Sequence, residues 1–283
     1  MIRERLRAAE ARLAAHDIPI SYAKFILNEL LLAQDQNLYL MMSEVLDATV
    51  AQRFDAMIDQ VCTGVPLAYV LGYQSFYGYP IQVNPSVLIP RFETEELLMR
   101  VLQATDEHFE KRDLVAFDVA TGSGALACAL QCEAPELTVY ASDISADALA
   151  QARINANALG AAVQFFEGDM LKPFLVAGLQ ADIIVCNPPY IPEDEVPEAS
   201  VLDHEPHLAL FGGPDGLKFY RQFFDEVHPL LKEHALLAFE MGHTQAEALR
   251  ALAHGHFPNA RIEVYPDLQG KDRILLVRCF AVS

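Results

Sequence analysis

The chain is short of cysteine, of basic residues and of long apolar runs, and each shortage excludes something. Its five cysteines, Cys62, Cys128, Cys132, Cys186 and Cys279, are scattered, odd in number and mostly set in apolar runs. That pattern predicts reduced, buried thiols and no disulfide framework. Cys128 and Cys132 fall on one helix face, half of what a metal site needs, but no second Cys or His pair has matching spacing, so no metal is expected. No stretch of about eighteen uncharged apolar residues occurs, and the amino terminus carries acidic residues without a continuous apolar signal core. A cytoplasmic protein with no membrane association is expected. Lys and Arg number 20 against 39 Asp and Glu, a formal net charge of −19, with no basic cluster to offset it. A phosphate-rich partner is repelled at long range, so no direct nucleic-acid binding is predicted. The acidity itself reads as a solvated surface or as a field that steers a basic partner.

What is present suits two domains. A chain of 283 residues that is 52% hydrophobic accommodates one large domain and a smaller companion. In residues 1–74 the apolar spacing is helical. Ile2, Leu6, Ala9 and Leu13 share a face, and Ser21 is placed to cap a run through Phe25, Leu27, Leu30 and Leu31. Ser43 is placed to cap a third helix with the stripe Leu46, Val50, Phe54, Met57 and Val61, stopped by Gly64 and Pro66. Residues 75–90 are aromatic and β-branched, punctuated by Gly78, Pro80, Pro85 and Pro90, which predicts a β-hairpin connector.

Over residues 91–283 short apolar runs alternate with helical ones: Leu114–Val119, Leu137–Ser142, Val163–Glu167, Ala181–Cys186 and Ala235–Phe239, then Ile262–Tyr265 and Ile274–Arg278. This predicts an α/β domain with a mostly parallel sheet, with one of the last two strands antiparallel because no helix separates them. Ligands of such sheets sit beyond the carboxyl ends of the strands.

Three elements fall at those ends. Ala120, Thr121, Gly122, Ser123 and Gly124 close the first strand before a helix from Ala125, where glycines let backbone amides approach a ligand. Asp143 ends the second strand, placed to accept both hydroxyls of a ribose. Asp169 and Met170 follow the third strand, a carboxylate for an exocyclic amine and a thioether for the face of an adenine. An adenosine-containing cofactor is predicted. The glycines alone do not separate it from a dinucleotide, because Ala127 at the third glycine's position occurs in some versions of that motif.

Asn187-Pro188-Pro189-Tyr190 follows the fourth strand. The two prolines fix φ and remove amide donors, leaving a rigid row of acceptors. A planar amide or aromatic-amine nitrogen is a poor nucleophile, so attack on a methyl donor demands orientation. The Asn187 side-chain oxygen and the Pro188 carbonyl are suited to its two N–H groups, with Tyr190 packed on its plane. Proximity supplies about 7–11 kcal/mol, against about 1.5–3 for a hydrogen bond to a group becoming charged, so no strong base is needed.

The same residues resemble the peptide chain release factor glutamine methyltransferases. Beyond the Asn-Pro-Pro-Tyr box the resemblance includes Pro66–Gly72, Ile89–Glu95, Glu205–Leu210 and Gly270–Arg273, nearly the whole chain. It implies a Rossmann-like, seven-stranded class I methyltransferase domain behind a small all-α domain that helps hold the substrate. It implies S-adenosylmethionine as cofactor, S-adenosylhomocysteine as product, and methylation of the glutamine amide in a release factor's Gly-Gly-Gln loop. Gly122, Gly124, Asp143 and Met170 take the family's cofactor positions, and Asn187 to Tyr190 its substrate positions. Ala120 stands where the family has its first glycine and Phe92 where it has a proline. The alanine is expected to fit with φ negative. An adenine-amino methyltransferase acting on nucleic acid uses a similar box, and a non-catalytic cofactor-binding protein is a third reading; the acidic charge speaks against the first of these and the intact box against the second. A monomer is expected.

Overall fold

The computed structural model describes residues 1–110 and 113–279. They form two compact units, one of residues 1–73 with 198–204, the other of 74–197 with 205 onward.

The first unit is helical: α1 (Ile2–Ala14), α2 (Ser21–Leu32), α3 (Ala48–Cys62) and a short α4 (Leu67–Leu71). Ile2, Leu6, Ala9 and Leu13 repeat at three and four residues and are all buried, against Ala23, Ile26, Leu27, Leu30 and Leu31 of α2 and Val50, Phe54, Ile58 and Val61 of α3. Neither expected serine cap forms. The carboxylate of Asp47 instead accepts from the amides of Thr49 (2.8 Å) and Val50 (3.2 Å) to start α3. At the start of α2 no side chain caps the helix, and Phe25 lies 44% exposed while Ile26 beside it is buried. Arg5 pairs with Asp55 and Arg12 with Asp59 on the rim, pairs too exposed to contribute much.

The expected connector is half hairpin. Strands β1 (Tyr73–Phe76) and β2 (Tyr79–Gln82) are joined by Tyr77 and Gly78, both at positive φ (50° and 84°), as a mirror-image two-residue turn requires. Residues 83–91, with Pro85 and Pro90 unable to donate to a ladder, run on without regular structure to the helix α5 (Phe92–His108).

The second unit is built on seven strands: β3 (Val115–Val119), β4 (Thr138–Asp143), β5 (Val163–Glu167), β6 (Ala181–Cys186), β7 (Leu231–Glu240), β8 (Arg261–Pro266) and β9 (Asp272–Cys279). Their order is β5-β4-β3-β6-β7-β9-β8, and β9 alone runs antiparallel to its neighbours. Intervening helices α6 (Ala125–Glu133), α7 (Ala146–Leu159), α8 (Lys172–Ala177), α10 (Lys218–Glu226) and α11 (Ala246–His256) cover it; the six-residue α9 (Ala199–His204) belongs to the helical unit. All six residues of β6 are buried, as a central strand covered on both faces requires. The chain leaves β3 toward β4 on one side and later returns to β6 on the other. That reversal opens a crevice at the carboxyl ends of β3 and β6, where such sheets bind ligands.

Candidate active site

The glycine-rich turn is held from inside. Asp118, the penultimate residue of β3, is buried and accepts from Thr121 Oγ1 (2.5 Å) and the Ala127 amide (3.1 Å), which ties the turn to the first turn of α6. Burial pushes its carboxyl up to about 7 against those two bonds. Gly124 caps α6 at φ 76°, and a Cβ there would lie 2.9 Å from that of Ala152 on α7, so no side chain fits. Gly122, at φ 54°, faces open space.

Ala120 departs from expectation: its φ is +61°, the left-handed region. The turn demands a glycine's conformation there, and the methyl group is carried at a cost of about 1–2 kcal/mol. After allowing for glycine's greater freedom when unfolded, Ala120→Gly is expected to raise stability by about 0.5–1 kcal/mol, read as a higher urea midpoint. A lower midpoint would contradict the strain.

Asp143 at the end of β4 accepts from the Gly122 amide (2.8 Å) through one oxygen and the Ser145 amide (2.9 Å) through the other. Burial raises its carboxyl above the usual range, opposed by these donors. Each oxygen keeps a lone pair for a ligand hydroxyl. Asp169, after β5, receives Lys172 Nζ (2.5 Å) and Gln222 Nε2 (2.8 Å) on one oxygen. Burial works against its charge, yet these donors hold it below the usual carboxylate range. Met170 is buried, at φ 49°, and its carbonyl accepts from Ser142 Oγ (2.9 Å).

Asn187 follows β6, and its Nδ2 donates to Thr94 Oγ1 (3.1 Å) on α5. The Thr94 hydroxyl donates in turn to Glu240 Oε2 (2.6 Å), at the end of β7. The other carboxylate oxygen of Glu240 accepts from Tyr190 OH (3.1 Å). Burial raises the Glu240 carboxyl, against the bonds from Thr94 and Tyr190 and the charge of Arg273. The Tyr190 carbonyl accepts from Gln245 Nε2 (2.9 Å), and a Cβ on Gly216 would lie 2.2 Å from that carbonyl oxygen, so the box is clamped between loops. Two segments behind the family resemblance also meet: buried Glu205 accepts from the Ile89 amide (3.0 Å) and pairs with Arg91.

These elements surround a cavity of about 380 Å³. Of the residues predicted from sequence, Ala120, Thr121, Gly122, Ser123, Asp143, Asp169, Met170, Asn187 and Pro189 line it. Gly124, Pro188 and Tyr190 are not on its wall. Gly124 shapes the turn, Pro188 is buried, and the Tyr190 hydroxyl points to Glu240 rather than into the cavity. Sequence reasoning gave no role to Thr94 and Asp118, which fall in or beside its motifs, and passed over Lys218, Phe219 and Gln222 on the wall and Glu240 behind it. The spacing of Lys218 and Gln222, four apart on α10, is the one signal that marks a shared face in advance.

Residues 93–203 match the family model of the methyltransferase small domain, and residues 4–72 that of the PrmC N-terminal domain. Among solved structures, a methyltransferase from Pyrococcus furiosus shares the fold at 16% identity with a TM-score of 0.54, over 73% of this chain and 91% of that one. Strand order, matched domain and relatives define the class: the chain is an S-adenosylmethionine-dependent methyltransferase. It is 40% identical over 274 residues to the release factor glutamine methyltransferase of Bacillus cereus, which spans 96% of this chain and 97% of that protein. With the enzyme of that name from Bacillus subtilis it shares 44% identity over 226 residues, 79% of this chain and 78% of the relative. The chain belongs to the release factor glutamine methyltransferase family.

Proposed function

We propose that this chain transfers a methyl group from S-adenosylmethionine to the side-chain amide nitrogen of the glutamine in a release factor's Gly-Gly-Gln loop, leaving S-adenosylhomocysteine. One observation carries the reading: Asn187, the acceptor-binding candidate, and the cofactor candidates Gly122, Asp143 and Met170 line the same cavity.

The residues fit the cofactor. The cavity is of ligand size, Asp143 offers oxygens to vicinal hydroxyls, Met170 and Leu126 offer apolar contact, and the missing side chain of Gly122 leaves open space at the wall. When bound, the cofactor supplies an electrophilic methyl group on its sulfonium. Asp143 would hold the ribose, and Asp169 and Met170 the adenine. Asn187 Oδ1 and the Pro188 carbonyl would accept the two N–H bonds of the glutamine amide, which orients its lone pair and stabilises the positive charge that develops on nitrogen. Among the described residues no donor takes the Pro188 carbonyl, although Pro188 itself is buried off the cavity wall. Tyr190 supports the box from behind through Glu240.

Residues 1–74 would hold the release factor, and the chain would act as a cytoplasmic monomer without binding nucleic acid; the net charge of −19 supports the last point. No helix among the described residues is long and apolar enough to cross a membrane. The test is labelled methyl transfer to three substrates: purified release factor, its loop variant with the glutamine replaced by alanine, and duplex DNA. Label on the intact factor alone is expected. Label on DNA alone would overturn the substrate assignment, and label on none of them would overturn the activity.

A further inference from the structure

The amide of Asn187 has two ends of nearly equal shape and opposite chemistry, a carbonyl that accepts and an NH2 that donates. A substrate N–H is met by only one of them, so which end faces the cavity decides whether the site binds or repels an amide nitrogen. Neighbouring hydrogen bonds fix such a choice.

The choice is made two residues away. Glu240 is 1% exposed, and as a carboxylate it accepts and never donates. Its Oε2 lies 2.6 Å from Thr94 Oγ1, so the single hydroxyl hydrogen of Thr94 is committed to Glu240. Thr94 Oγ1 then has only lone pairs to offer Asn187, 3.1 Å away, and Asn187 must answer with its NH2. Its Oδ1 is thereby turned from Thr94, and among the described residues no donor meets it.

We infer that Glu240 and Thr94 form a relay that fixes the Asn187 amide with its carbonyl presented to the acceptor nitrogen, which makes both of them positioning residues. The inference rests on Asn187 as the receptor of that nitrogen. Geometry supports the relay from every side. Tyr190 OH donates to the remaining Glu240 oxygen, Tyr220 OH donates to the Glu240 carbonyl (2.6 Å), and Arg273 lies near enough to favour the charge, with Glu93 opposing it. A buried charge is otherwise costly; here both oxygens are satisfied. A glutamine at position 240 would bring one acceptor for two hydroxyls. Its NH2 would donate to Thr94, freeing the threonine hydrogen for Asn187 Oδ1 and inverting the amide.

The test is a double-variant cycle on methyl transfer to release factor. Thr94→Val removes the hydroxyl at constant shape and is expected to lower kcat about tenfold, the worth of one orienting hydrogen bond. Cofactor affinity should stay at its wild-type value, Tm should fall by a few degrees because a buried Glu240 oxygen loses its donor, and Thr94→Ser should restore both kcat and Tm. Glu240→Gln should cost about as much alone and nothing further in the Thr94→Val background, because no hydroxyl remains to be oriented. Losses that multiply to about a hundredfold in the double variant would overturn the relay, as would undiminished kcat in Thr94→Val. If the Tm shows that Glu240→Gln does not fold, the Thr94→Val and Thr94→Ser pair decides. Full activity in Thr94→Val beside an inactive Asn187→Ala sinks the relay alone; full activity in both sinks the reading of Asn187 as well.

Discussion

Replacing Asn187 with alanine is expected to lower kcat about a hundred- to a thousandfold, the range seen when one preorganised group facing developing charge is removed. The substituted residue stands at the carboxyl end of a fully buried strand, with its amide anchored to Thr94 and its neighbours clamped by Gln245 and Gly216. Alanine keeps the backbone and the prolines but loses the acceptor proposed to turn the glutamine nitrogen toward the methyl group. S-adenosylmethionine affinity, measured by calorimetry, should stay close to wild type, because the proposed ribose and adenine contacts fall to Asp143, Asp169 and Met170. Loss of cofactor binding in proportion to rate would make Asn187 a cofactor residue and not a receptor.

Asp143→Ala should fail in the opposite order. Its carboxylate, already organised by the Gly122 and Ser145 amides, is the group proposed to take two ribose hydroxyls. Hydrogen bonds to a charged acceptor contribute about 1.5–3 kcal/mol, so cofactor affinity should weaken by roughly tenfold to a hundredfold or more. With cofactor saturating, kcat should fall far less. The Gly122 amide also loses its partner, so part of the weakening will come from a looser turn. Asp143→Asn, which keeps one oxygen, should fall between wild type and alanine. Unchanged affinity in Asp143→Ala would remove this residue from the site.

Much of this fold is legible because burial imposes a period. The face Ile2, Leu6, Ala9 and Leu13 recurs at helical spacing and is buried in full, and β5 and β6 begin and end where their apolar runs do. Where several apolar residues adjoin, period alone does not choose among them: on α2 it is Ile26 that turns inward and Phe25 that faces out. Cap position is equally local, and Asp47 displaces Ser43 because its carboxylate reaches two amides from the residue directly before the helix. The first half of β7 escapes notice because Lys232, Glu233 and His234 interrupt its apolar character.

At the site, residues in one contiguous motif could be read together, since chain order alone places Ala120–Gly124, Asp143 and Asn187 at strand ends. Thr94 and Glu240 could not. They are 146 positions apart, on a helix and a strand that only the folded sheet brings to Asn187; Thr94 sits in the Ile89–Glu95 segment of the resemblance with no role attached to it, and Glu240 sits in no motif. The sign of φ at Ala120 was hidden for another reason: sequence favours a negative angle for alanine, and the turn overrules it.

The most direct single measurement is tandem mass spectrometry of a release factor incubated with this chain and S-adenosylmethionine. One methyl group on the side-chain nitrogen of the glutamine in the Gly-Gly-Gln loop is the predicted result. A methyl group on any other residue, or an unmodified factor beside methylated DNA adenine, would contradict it.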